Sequence, residues 1–273
     1  GFAIDRGEIE SVDVPVFDFF PGYAELRTPE KGRILLRHLL TMTAGLEWEQ
    51  SRYGWGDPRN DAAQMWRVDD VLEYTLAKPV VAEPGERYAY SNGVSTLLGA
   101  IIRNATGTEA GAYAEQYVFD PLGITDYDWD HLNSDVIHAS GNLRLRPRDM
   151  AKFGYLYLNG GTWKGQQIIS QEWVKKSTKE TVSIPWESLA GILGKEYAYL
   201  PETHGDRYSY LWWLKTYHTN SQSVDAYFAS GWGGQRIFVF PSLDIVVVLT
   251  GGNYATHEPD QEILTRPILP AVE

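Results

Sequence analysis

The chain has 273 residues, with 24 Lys and Arg against 36 Asp and Glu, for a formal net charge of −12. That balance argues against a nucleic-acid partner, which needs a basic footprint to displace counterions, and against an anionic membrane surface. The chain has no Cys, which excludes disulfides, thiolate metal sites and cysteine nucleophiles, and no apolar run is long enough to span a membrane.

In chain order, residues 1–9 (GFAIDRGEI) read as the last turns of a helix already under way, stopped at Gly7. Residues 12–23 carry two prolines and little helical period, and are expected to cross the molecule as an extended segment. Residues 34–48 predict a short buried helix ending near Gly45. Residues 65–80 repeat apolar side chains at helical spacing and predict one helix that stops before Pro79. A turn over 82–90 leads into an apolar helix from Asn92 to Asn104.

Residues 112–124 predict a further helix with a proline stop. Residues 146–161 predict another, with Pro147 in its first turn and Gly160 at its end. Ser170 caps a short helix over 170–177. The period then changes. Residues 207–217, 226–232, 235–241 and 244–252 are aromatic and β-branched and are separated by turn signals, so they predict consecutive antiparallel strands. Residues 258–272 predict a closing helix broken or ended by its prolines. Helices first, a strand meander and a last helix make an α+β layout.

The six His form no H-x-H or H-E-x-x-H pattern, and Thr203–Asp206 is too short a cluster to hold a metal, so neither a metal nor another cofactor is expected. A P-loop and a G-x-S-x-G elbow are both absent. Two stretches remain. Tyr90-Ser91-Asn92 stands directly before an apolar helix, where Ser91 or Asn92 serves as a cap and Tyr90 packs beneath it, or where the three line a cleft. Gly231–Gly234 leads into a strand, as a tight turn or as bare backbone that approaches a ligand carbonyl.

Together these stretches resemble the serine β-lactamase and penicillin-binding-protein superfamily, and most nearly its class C-like branch of esterases, β-lactamases and D-amino-acid peptidases. Residues 35–46 are similar to the segment after that branch's nucleophile helix. Residues 84–102 are similar to its Tyr-x-Asn segment, 146–174 to a stretch typical of the branch, and 231–252 to its final strand pair. The matches fall in the family order over nearly the whole chain.

The resemblance implies a β-lactamase/transpeptidase-like fold: an antiparallel sheet packed by helices with a helical subdomain. It implies one domain over 1–273, N-terminally incomplete, with a helical part at about 30–180 and strands and a helix at about 205–273. It implies acyl transfer through a serine, with a small ester or amide as substrate. Tyr90 is then the base or its partner, Asn92 holds a lysine and the substrate, and a backbone N–H just after the glycine turn, that of Gln235, gives half of the oxyanion hole. Ser91, Trp232, Gly233 and Gly234 line the substrate site. Trp232 stands where β-lactamases keep a cation for the substrate carboxylate, which shifts the expectation toward esters or amides without one.

No serine has a lysine three positions on, so the Ser-x-x-Lys element is expected upstream of Gly1, together with two family strands. The polypeptide alone is then expected to be inactive, with self-association or a second chain supplying the missing segment. The sequence leaves the compartment open, and the resemblance slightly favours a periplasmic or secreted setting. Two other readings stay open: a non-catalytic peptide-binding or scaffold protein on the same fold, and a hydrolase with a relocated nucleophile such as Ser91 or Ser230.

Overall fold

A computed structural model describes residues 1–50, 52–132, 136–179, 182–184, 206–219, 223–254 and 259–272. Of the Thr203–Asp206 cluster only Asp206 lies within them. No helix among the described residues is long and apolar enough to cross a membrane.

The chain opens with α1 (Phe2–Asp5). The segment expected to be extended instead forms two 3-10 stretches, Val16–Phe19 and Pro21–Leu26. Pro15 and Pro21 each precede or start a stretch, and their fixed φ suits a tight helical turn as well as an extended one. Helix α2 (Leu36–Leu40) ends before Gly45, because Met42 takes a left-handed φ of 56°.

Of the helix expected over 65–78 only α4 (Val71–Leu76) is helical, and a short helix, α3 (Asp61–Gln64), lies before that stretch. Asp70 Oδ1 accepts from the Leu72 and Glu73 N–H groups, both at 2.9 Å, and so begins a new helix inside what reads as a continuous period. Helix α5 (Asn92–Thr106) forms as expected, with Ser91 as its cap. After α6 (Ala110–Ala114) a π-helical turn, Glu115–Phe119, leads to α7 (Asp120–Leu122). Pro121, in α7, has no N–H for the usual ladder.

A short pair of antiparallel strands, β1 (Tyr127–Trp129) and β2 (Leu143–Leu145), precedes α8 (Pro147–Leu158). The small hairpin of β3 (Thr162–Trp163) and β4 (Gln166–Gln167) precedes α9 (Gln171–Thr178). Ser170 Oγ caps α9 by accepting from the Trp173 N–H at 3.1 Å.

The main sheet holds β5 (Val182–Ser183), β6 (Arg207–Tyr208), β7 (Trp213–His218), β8 (Ser223–Gly231), β9 (Gln235–Phe240) and β10 (Ile245–Leu249). Their order is β10-β9-β8-β7-β6-β5, each neighbour antiparallel. The stretch 207–217 reads as one strand but is a hairpin: Ser209 N–H donates to the Trp212 carbonyl at 2.9 Å and Leu211 turns the chain with a φ of 63°. Aromatic residues fill this turn without Gly or Pro, so its sequence carries no turn signal. The chain closes with α10 (Asp260–Ile263), a π turn over Leu264–Ile268 and a 3-10 turn over Leu269–Ala271.

The period of two along β7, β8 and β9 sorts side chains between two cores. Trp213, Tyr217, Phe228, Phe238 and Phe240 join the residues of α2, α4 and α5 and the closing helical turns. Leu214, Tyr227 and Val239 face Leu156, Tyr157, Trp173 and Val174 of α8 and α9. The sheet is therefore covered on both faces, and its β8–β9 turn is held at one end of the strands.

Candidate active site

Ser91 sits at the start of α5 with its Oγ accepting from the Val94 N–H at 3.1 Å, and its side chain is buried. Its hydroxyl is thereby engaged as a cap. Tyr90 precedes it and lays its ring beside Trp213 of β7, with centroids 6.0 Å apart. Tyr88 and Tyr208 complete this aromatic group: Tyr88 meets Tyr208 edge-on at 5.3 Å, and Tyr208 meets Trp213 at 5.1 Å. Burial raises the phenols of Tyr88, Tyr90 and Tyr208 above their ordinary value, because the phenolate would lose its water. In this arrangement Tyr90 keeps its proton at neutral pH. The Tyr88 hydroxyl is buried with no hydrogen-bond partner among the described residues.

Asn92 opens α5. Its backbone N–H donates to Gln50 Oε1 at 2.9 Å, and its Oδ1 accepts from Gln50 Nε2 at 3.4 Å. Gln50 Oε1 also takes the Trp48 indole N–H at 2.6 Å. Trp48 lies against the start of α5 at Gly93, where a Cβ would lie 2.5 Å from its ring, so only glycine admits this contact. Sequence reasoning misses Gln50 entirely, since a lone Gln in a loop carries no signal.

The segment bearing Trp48 and Gln50 is pinned from behind by a half-hidden charge cluster. Asp61 Oδ1 accepts from Tyr74 Oη and from Lys78 Nζ, each at 2.5 Å, and Oδ2 accepts from the Glu49 N–H at 2.7 Å. Lys78 Nζ also lies 3.1 Å from Tyr74 Oη. Burial works against the Lys78 ammonium, but its bonds to Asp61 and Tyr74 outweigh that and raise it. Burial, then Asp61, raises the Tyr74 phenol. Asp61, Tyr74 and Lys78 are also absent from the sequence-based expectation. Asp61 lies in α3, before the stretch that reads as a helix, so the 61/74/78 spacing carries no signal.

The second motif forms the β8–β9 turn. Gly231 pairs with Gln235, and Trp232, Gly233 and Gly234 make the three-residue connection. Gly233 and Gly234 take φ values of 84° and 93°. A Cβ on Gly233 would also lie 2.6 Å from the Tyr254 ring. Gln235 turns its side chain to the backbone of Gly251: Nε2 donates to the carbonyl at 2.5 Å and Oε1 accepts the N–H at 3.4 Å. Asn253 N–H donates to the Gly233 carbonyl at 3.0 Å, which ties the segment after β10 to the turn.

Beneath the turn lies Arg236, buried in β9. Its Nη1 donates to the carbonyls of Gly231 at 2.6 Å and Gln235 at 3.0 Å, and its Nε to Asp260 Oδ2 at 3.0 Å. Ser230 stands opposite Arg236 in the ladder.

The two motifs meet through one loop. Gln50 holds Asn92, and a few residues on Trp55 stacks on Trp232, with centroids 6.2 Å apart and planes 23° from parallel. No group of three or more His, Cys, Asp and Glu with the geometry of a metal site occurs among the described residues.

The sequence profile described as Beta-lactamase matches residues 3–264. Monacolin J acid methylbutanoyltransferase of Aspergillus terreus is 30% identical over 128 residues, covering 45% of this chain and 30% of that protein. Esterase EstB of Burkholderia gladioli is 28% identical over 132 residues, covering 45% and 33%. The chain thus matches about a third of the length of these curated relatives. Among solved structures, a family VIII carboxylesterase superposes with a TM-score of 0.70 at 18% identity over 100% of this chain and 79% of the other. The octameric penicillin-binding protein homologue from Pyrococcus abyssi gives 0.64 at 20% identity over 95% and 59%. The order of strands and helices, the two-sided sheet and the profile match over most of the chain agree: the chain belongs to the Beta-lactamase family and has the β-lactamase/transpeptidase-like fold.

Proposed function

We propose that the natural protein is a serine hydrolase of the class C-like branch, acting on small esters or amides through an acyl-enzyme. In this reading residues 1–273 are one such domain, and the Ser-x-x-Lys element comes from a preceding segment or from another chain. The observation that carries it is the joining of Tyr90-Ser91-Asn92 to the Trp232–Gln235 turn by the single loop that bears Gln50 and Trp55.

The chemistry assigns each side chain a task. A serine hydroxyl is a poor nucleophile and needs a base beside it. Burial holds Tyr90 protonated here. A lysine ammonium set against the phenol would favour its ionised form and offset that cost, making Tyr90 the acceptor of the serine proton. Asn92, fixed through Gln50, orients that lysine and the substrate. A backbone N–H of the turn, that of Gln235, stabilises the oxyanion, an effect typically worth about 3 kcal/mol in the transition state. Trp232, Gly233 and Gly234, with Ser91 at the start of α5, bound the substrate side.

The 273-residue polypeptide is incubated with a fluorophosphonate serine probe and its intact mass is measured. No adduct is expected, and an adduct is expected once the natural upstream sequence is restored. An adduct on the short chain, mapped to Ser91 or Ser230, would replace this reading with a relocated nucleophile.

A second reading is a non-catalytic peptide-binding protein on the same fold, favoured by the Ser91 hydroxyl being engaged as a helix cap and by the protonated Tyr90. Saturable binding of a D-Ala-D-Ala peptide by the full natural chain, with no product and no adduct, would establish it over the hydrolase.

A further inference from the structure

Three of the seven large apolar side chains that are exposed among the described residues meet at one place: Trp55 is 50% exposed, Trp232 64% and Tyr254 54%. They come from three separate parts of the chain. Trp55 lies in the loop before α3, Trp232 in the β8–β9 turn and Tyr254 in the segment after β10. Trp55 stacks on Trp232, and Tyr254 meets Trp232 edge-on at 5.2 Å. Scattered surface aromatics need no explanation, but a contiguous ring surface in water beside a candidate site does.

The arrangement is built by its neighbours. Gly233 leaves room for Tyr254 where a Cβ would collide with it, and the Asn253 N–H bond to the Gly233 carbonyl fixes the height of that ring. Arg67 donates to the Trp55 carbonyl at 3.3 Å, so the loop carrying Trp55 is held from the far side.

We propose that Trp55, Trp232 and Tyr254 form a specificity wall that takes an uncharged flat ring of the substrate, next to its ester or amide carbonyl. The proposal deepens the hydrolase reading and rests on it for the word substrate. Two stacked indoles, each at least half exposed, and one edge-on phenol leave ring surface in water on the outside of the stack, which suits offset stacking of another planar ring. A quaternary ammonium needs rings on several sides of the ion, and here the rings lie against each other instead of around a space. A carboxylate would want a cation, but Arg67 spends a donor on the Trp55 carbonyl, and Arg59 is committed within its own loop, with its Nε and Nη2 on Asp57 and its guanidinium over Tyr53.

The full natural chain is titrated with 2-naphthol while the indole N–H resonances of its tryptophans are followed. Saturable shifts of Trp55 and Trp232 are expected, with affinity falling about tenfold in Trp55→Ala and unchanged in Trp163→Phe. In parallel, kcat/KM for 2-naphthyl acetate should fall about tenfold more than that for vinyl acetate in Trp55→Ala, mainly through KM. No shift of either indole, or equal loss for both esters, overturns the wall. Binding of benzyltrimethylammonium in place of 2-naphthol also overturns it. Hydrolysis of both esters without indole shifts removes the wall and keeps the hydrolase. Indole shifts with hydrolysis of neither ester keep a ring-binding wall and remove the hydrolase.

Discussion

Arg236 and Asp260 form a buried ion pair at 3.0 Å, with side chains only 1% and 5% exposed, and the same guanidinium holds the carbonyls on both sides of the candidate turn. The closing helix thereby sets the shape of the β8–β9 turn from underneath. Asp260→Ala removes the buried carboxylate that accepts from Arg236 Nε and is expected to cost about 3–5 kcal/mol, read from urea unfolding. The double variant Arg236→Met with Asp260→Leu should recover much of that loss, since no charge is then left buried. A double variant as unstable as the single one would refute this account.

The Tyr88 hydroxyl is buried with no partner among the described residues, which gives it a desolvation cost with no compensating bond from them. Tyr88→Phe keeps the ring contacts with Tyr208 and Trp213 and removes that cost. Stability should hold or rise by about 1 kcal/mol. A loss larger than that in thermal or urea unfolding would mean that the hydroxyl has a partner in solution.

Alkaline pH should destabilise the fold. The phenols of Tyr74, Tyr88, Tyr90 and Tyr208 and the Lys78 ammonium all have folded-state pKa values raised above their unfolded values. The folded state therefore binds these protons more tightly. The stability they contribute is fully present below about pH 10 and is lost as pH rises through the folded values. The urea midpoint should fall between pH 9 and pH 11.5 in steps of about half a unit. Phenolate absorbance should show these tyrosines ionising late, together with unfolding. A flat midpoint over that range would contradict the burial of the cluster.

Gly233→Ala imposes two penalties at one position: a side chain at a φ of 84° and a Cβ 2.6 Å from the Tyr254 ring. It should cost about 1–3 kcal/mol and displace Tyr254 from the edge of Trp232. Unfolding data and the exposure of Tyr254 to iodination check both effects, and no change in either would show that the turn is looser than described.

What the sequence by itself determined lies close in the chain. Ser91 and Ser170 mark their helices because a cap needs only its own side chain and an N–H three residues on. Pro147 starts α8, and the β-branched runs at 235–241 and 244–252 form β9 and β10, because period and backbone preference act locally. The four ordered stretches were enough to reach the superfamily.

Tertiary structure decided the rest. The helical period over 65–78 begins before the helix does, because α4 starts only where Asp70 caps it, and the aromatic run 207–217 hid a turn that only strand pairing reveals. Gln50 meets Asn92 across 42 residues and Arg236 meets Asp260 across 24. Nothing near Gln50 or Arg236 in the chain marks them, because a polar side chain gains its partner only when packing excludes water and brings a distant element within hydrogen-bond reach. The Trp55–Trp232 stack has the same origin. Each ring reads as ordinary in its own segment, and the surface they make exists only once the loop and the turn are folded against each other.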